Sequence, residues 1–211
     1  IIKDLLRNRW TLLYLIFYML ITSAILIFSG DFSKSMVSLM HIMLIITPLF
    51  GTLFGVMYYY SSRDFIELLL AQPLPRRDVF VGQWLGVSIS LSISIVTGMG
   101  IPSFFYFTQY EAPKEQFILL LLLGVFLSVI FSGLSMGVSM TTDNRIKGFG
   151  YALVLWLLMA VIYDGFFLLA LIALRDYPLE KLALIATVFN PIDLARITLL
   201  LKLDISALMG Y

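Results

Sequence analysis

Few residues of this 211-residue chain carry groups able to do chemistry, and the most conspicuous stands where charge is least welcome. Asp164 interrupts residues 148–174, a stretch otherwise without Asp, Glu, Lys or Arg, and lies three residues past its middle. A carboxylate inside so apolar a run costs about 2.5–3.5 kcal/mol in lipid, so it must face protein or water and have a partner. One reading puts Asp164 on a cargo path or in a proton relay. The other makes it a packing group, hydrogen-bonded to Tyr163 or to serines of a neighbouring helix. His41, the single histidine, stands seven residues into residues 35–62. It either pairs with Asp164, from which its depth along a span differs by roughly 6–7 Å, or sits at the membrane interface on water or a headgroup. Met36, Met40 and Met43 stand at i, i+4 and i+7 and share one helical face. Soft thioethers suit Cu(I), but Met is also an adaptable filler and the chain has ten, so no metal site is assigned. Cys is absent, which removes disulfides and thiolate ligands. The residue types form no nucleophile or acid–base set, and there is no G-x4-G-K-[ST] phosphate loop. Neither an enzyme nor a built-in ATPase is expected.

The elements that must position these residues follow from composition. Hydrophobic residues make up 61% of the chain and charged residues 13%, about half the charged share of a soluble domain. Mean hydropathy is +0.99. A net charge of +1 gives no basic face for nucleic acid. Five long stretches lack charge, apart from Asp164: residues 10–30, 35–62, 79–110, 116–142 and 148–174. Crossing a ~30 Å hydrocarbon core takes about 20 helical residues, and only a helix satisfies its own backbone within one such segment. The fold class is therefore all-α and polytopic, with five transmembrane helices. Eight Lys and Arg (Lys3, Arg7, Arg9, Arg63, Arg76, Arg77, Arg145, Lys147) flank one side, against Lys34 and Lys114 on the other. The positive-inside rule places the N terminus in the cytoplasm.

Small-residue faces at Gly51/Gly55, Gly82/Gly86 and Gly133/Gly137 allow close helix approach. Ser88, Ser90, Ser92 and Ser94 spread around the third span, bonding to i−4 carbonyls or to neighbours. Gly98, Gly100 and Pro102 weaken that span's outer end. Residues 175–211 are too broken by polar residues and prolines to span. Leu182–Phe189 and Ile197–Leu203 read as short amphipathic helices on or just within the outer leaflet, joined at a helix break and restart, Asn190-Pro191. The division is thus residues 1–174, a transmembrane domain, and 175–211, extracytoplasmic helices. The chain starts without Met and stops in mid-pattern, so a fragment trimmed at both ends is expected, with a sixth span beyond residue 211.

Between the second and third spans, residues 63–71 form an amphipathic helix of two and a half turns. Asp64 and Glu67 share a polar edge, and Ile66, Leu69 and Leu70 an apolar one. Pro73 and Pro75 stop it, and Arg76, Arg77 and Asp78 follow at the membrane surface. Such a helix suits docking into a soluble partner, or is simply a solvated connector. Arg-x3-Glu-x-Leu-Leu followed by Pro-x-Pro-Arg-Arg-Asp and Val-x-Gly resembles the coupling helix of type-2 ABC transporter permeases, although Gln83 stands where many carry Lys. The tail, Phe-Asn-Pro-Ile-Asp-Leu-Ala-Arg-Ile and onward to Tyr211, resembles the permease subunits of nitrous-oxide-reductase maturation transporters.

The resemblance implies a six-span permease of the bacterial inner membrane that pairs with a second copy of itself. It implies a separate cytoplasmic ATPase that binds ATP and Mg, while this chain holds no cofactor. Arg63, Asp64, Glu67, Arg76 and Arg77 would then couple to that ATPase. Asn190, Asp193, Arg196 and Asp204 would offer a docking surface to a periplasmic partner in copper-site assembly, unless they merely cap and pair short helices. Two rival readings are a type-2 permease exporting lipid, glycan or drug, and a non-transporting membrane assembly factor.

Overall fold

The computed structural model describes residues 9–29, 32–70, 75–109, 114–173 and 187–209. Among these there is no strand. The chain forms α1 (Arg9–Phe28), α2 (Phe32–Ser61), α3 (Arg63–Leu70), α4 (Arg76–Gln109), α5 (Lys114–Ser139) and α6 (Arg145–Leu157). A π-helical turn, Leu158–Ile162, leads into α7 (Tyr163–Ala173), and α8 (Pro191–Met209) follows. Among the described residues five helical segments are long and apolar enough to cross a membrane: α1, α2, α4, α5, and the run from α6 through the π turn into α7. They match the five charge-free stretches, because in lipid each segment must satisfy its own backbone hydrogen bonds.

The central helix is α2, packed most extensively against α5, while α1 pairs with α4 and α4 also meets α5. Glycines make the α2–α5 approach close. A Cβ on Gly51 would stand 3.1 Å from Phe131 Cβ, and one on Gly55 would overlap Ser135 Oγ. Gly82 and Gly137 face open space, so of the three glycine pairs only Gly51/Gly55 is used by both members for contact within this chain. Several polar groups inside the bundle pair across helices or back to their own. Tyr18 Oη and Thr47 Oγ1 are 2.6 Å apart, and Ser88 and Ser132 join α4 to α5 at 2.9 Å. Ser92 and Ser94 bond back to Ser88 O and Ser90 O at 2.7 and 2.9 Å. Met36, Met40 and Met43 are fully enclosed in this core with Leu39, Leu91 and Phe131. Despite Gly98, Gly100 and Pro102, α4 runs on to Gln109 as one helix.

The tail departs from expectation. In place of a short surface helix over 197–203, one 19-residue helix, α8, spans Pro191–Met209. It packs on α5 and α2, burying Ile192, Ala195 and Leu199 in the common core. Those residues, at i, i+3 and i+7, make an apolar stripe that finds protein instead of headgroups. So α8 belongs to the same packed body as the spans. The helix expected over 182–189 lies mostly outside the described residues.

Candidate functional site

Two polar assemblies interrupt the apolar bundle. The first forms where α8 begins. Asn190 is the N-cap of α8: its Oδ1 accepts from Ile192 N at 3.1 Å, and Pro191 occupies the first helical position, where a missing N–H costs nothing. The Asn190 amide is buried, 1% exposed, and Nδ2 donates at 2.8 Å both to Met159 O and to Asp193 Oδ2. Met159 belongs to the π turn. A π turn holds one residue more than an α turn, which turns a carbonyl outward for an external donor, and such turns recur at functional sites. Farther along, Arg196 Nη1 donates to Asp164 Oδ2 at 2.7 Å and reaches Asp193 Oδ1 at 3.0 Å. One guanidinium nitrogen thus bridges two carboxylates.

These contacts fix how deep α8 begins. Met159 stands midway between Arg145 and Ala173, about 21 Å along the helix from Arg145 at 1.5 Å per residue. Asn190 therefore lies level with the middle of the last span. From there α8 climbs beside α7: Arg196 meets Asp164, and Lys202 Nζ comes within 3.6 Å of Glu115 Oε2 at the start of α5. A helix beginning inside the bilayer needs its end groups satisfied by protein, and Asn190 meets that need. Asp193 accepts from Asn190 Nδ2 and pairs with Arg196, so its carboxylate is held between an amide and a guanidinium.

The second assembly lies at the opposite end of the bundle. Arg63, first residue of α3, donates from Nη2 to Asp143 Oδ1 at 2.8 Å and from Nη1 to Asp143 O at 3.2 Å. Tyr60 at the end of α2 donates to Thr142 O at 2.8 Å, with Ser139 O at 3.3 Å. Asn144 caps α6, accepting from Ile146 N at 2.9 Å and Lys147 N at 3.3 Å. A Cβ on Gly148 would overlap the Tyr60 hydroxyl, so glycine is what lets the α2 end seat against α6. Residues 140–144, the turn between α5 and α6, are stitched to the junction of α2 and α3. On α3 itself Phe65 and Leu68, at i and i+3, are 51% and 68% exposed.

The sequence that folds into this helical bundle matches a known family model. The model is that of the ABC-2 family transporter proteins, and it matches residues 33–210. The chain belongs to this family. It is also 24% identical over 229 residues to a "Probable ABC transporter permease protein NosY" of Pseudomonas aeruginosa, across 99% of this chain and 82% of that protein. ABC-2 proteins of this kind are multi-pass permease subunits. This chain is accordingly a membrane subunit and not an enzyme, and ATP hydrolysis resides in a partner.

Within this ABC-2 permease, the structure brings Asp164 together with Asn190, Asp193 and Arg196, from which the sequence reading kept it apart. Asn190, Asp193 and Arg196, expected either as a docking surface or as residues that cap and pair short helices, bond to one another and, through Arg196, to Asp164. Asp204's side chain lies outside the described residues. His41 does not meet Asp164. It is exposed, with Nδ1 2.8 Å from Val37 O on its own helix, while Asp164 takes Arg196. Met36, Met40 and Met43 are buried members of the hydrophobic core. Asp64, Arg76 and Arg77 are exposed around α3 and the start of α4, and the side chain of Glu67 lies outside the described residues. The sequence reading missed Tyr60, Asp143 and Gly148. Asp143 had a legible signal, being the one acid in a connection that must face the first residue of α3. Arg196 had another, as a cation in an apolar segment matching an unpaired carboxylate in a span.

Proposed function

We propose that this chain is the permease subunit of an ABC transporter serving maturation of a copper enzyme, nitrous oxide reductase. In this reading it lies in the bacterial cytoplasmic membrane with its N terminus inside, pairs with a second copy, and is driven by a separate ATPase that holds ATP and Mg. The supporting observation is the alignment with the NosY-type permease across nearly the whole chain, joined by the likeness of the tail motif around Asn190. The helix α3 is the coupling element. Its exposed Phe65 and Leu68 offer an apolar grip for a groove on the ATPase, and Arg63–Asp143 passes the push to the α5–α6 turn. Spans two and three shift in response, and the movement reaches α8, whose far end points toward a periplasmic partner.

The test is a gene deletion in the native host, scored by the copper content of nitrous oxide reductase and by complementation with wild type and Glu67→Arg. Copper-deficient reductase, rescued by wild type and not by Glu67→Arg, supports the reading. Fully loaded reductase in the deletion strain would direct it instead to export of some other cargo.

A further inference from the structure

Where α1 and α4 cross, their backbones nearly touch: a Cβ on Gly98 would stand 2.8 Å from Leu15 O and 3.0 Å from Tyr18 Cβ. Helices packed at a crossing angle diverge away from the crossing point. Ser90 lies about 12 Å before Gly98 along α4, at 1.5 Å per residue. There the helices have parted far enough to leave a cavity of about 20 Å³. Thr11 of α1, Ser90 and Leu91 of α4, and Phe54, Tyr58 and Ser61 of α2 line it. Ser90 is 2% exposed, and its Oγ has no hydrogen-bond partner among the described residues. Other serines of α4 are provided for: Ser92, Ser94 and Ser103 donate to the carbonyl four residues earlier, and Ser88 pairs with Ser132. A buried hydroxyl left unmet costs about 1–3 kcal/mol.

Size and charge say what would meet it. One water needs about 10–15 Å³ of such space, and an acyl chain or an organic cargo needs far more. No charged residue lines the cavity, so an ion would lie there without a counter-charge. The hydroxyl-bearing Thr11 is itself buried, and Ser61 Oγ, which donates to Met57 O at 2.7 Å, keeps lone pairs with which to accept. Ser61 is exposed, so water can enter from the end of the bundle that carries α3.

We infer that this cavity binds one water molecule, hydrogen-bonded to Ser90 Oγ and bridging α4 to the hydroxyls of Thr11 on α1 and Ser61 on α2. The water joins the three helices beside the junction of α2 with α3, through a partner that can reorient as they shift. The site stands whatever cargo the transporter carries.

The experiment is X-ray radiolysis of the intact permease–ATPase complex in lipid nanodiscs. Waters struck by the beam form hydroxyl radicals that oxidise the nearest side chains, and mass spectrometry reads the oxidation residue by residue. Leu91 lines the cavity and is 1% exposed, while Leu120, buried in the same core, does not line it. Two leucines share one intrinsic reactivity, so Leu91 should be oxidised while Leu120 stays at background. Heavy-oxygen water mixed in just before exposure should appear at once in oxidised surface residues of the ATPase. It should appear in Leu91 only after a delay, because a bound molecule exchanges slowly. Ser90→Val, which fills the cavity and removes the hydroxyl, should lower Leu91 oxidation to background, whereas Ser90→Thr should retain it. Leu91 no more oxidised than Leu120 in the unaltered complex would overturn the inference whether or not the variants fold. So would heavy oxygen reaching Leu91 as fast as the protein surface, or Leu91 oxidation undiminished by Ser90→Val.

Discussion

Arg196→Gln removes the cation that holds two carboxylates together, and its cost can be worked from the geometry. Breaking a buried ion pair by deleting one partner costs about 3–5 kcal/mol, because the other charge is left stranded. Here the Arg196 and Asp164 side chains are 33% and 31% exposed, so the pair is only partly buried, and about 2 kcal/mol is the working figure. For a chain of this size each kcal/mol moves Tm by about 2–4 °C, so the expected drop is roughly 4–8 °C. Asp164→Asn should cost about 1 kcal/mol alone. In the double variant Asp164→Asn/Arg196→Gln no stranded carboxylate remains at Asp164, and about 1 kcal/mol should return relative to the sum of the single changes. The assay is thermal unfolding of the purified complex in detergent, followed by loss of monodispersity, with the four proteins of the cycle side by side. A loss below about 0.5 kcal/mol for Arg196→Gln, or strict additivity, would refute the claim that this pair ties α8 to α7.

Other consequences are simpler to read. Gly55→Val should be destabilising by about 1–3 kcal/mol through overpacking against Ser135, whereas Gly137→Ala, which meets open space, should leave Tm within about 2 °C, the usual range for harmless sites. Replacing Met36, Met40 and Met43 together by Leu should preserve assembly, each swap costing less than about 1.5 kcal/mol, and should leave copper loading of the reductase unchanged if the stripe only packs.

The spans were legible because lipid leaves the backbone one solution: an uncharged run of sufficient length is a helix, and all five emerged at the expected places. The tail was less so. Asn190-Pro191 announced a helix start, yet nothing in the residues around it says at what depth that start lies; the level follows from the bond of Asn190 to Met159 O, 31 residues earlier. Without that contact, an apolar stripe such as Ile192, Ala195 and Leu199 reads equally well as a lipid-facing surface. Asp164 called for a partner, and the chain supplied Arg196, which a search confined to neighbouring spans and to His41 passed over. The π turn at Leu158–Ile162 has no local sequence mark, since Leu, Met, Ala, Val and Ile suit an α-helix equally. At the opposite end the helix over 63–70 was plain from its amphipathic pattern and the prolines after it, while its anchoring to Asp143 required knowing that the second and fourth connections lie side by side.

The central claim is that α3 faces the cytoplasm and takes the thrust of a separate ATPase. The chain contains no Cys, so Glu67→Cys creates a single reactive thiol in the permease. In intact cells co-expressing the ATPase, a membrane-impermeant maleimide should leave position 67 unmodified, and in inverted vesicles a short bifunctional reagent should join it to the ATPase subunit. Labelling of position 67 from outside intact cells would contradict the account.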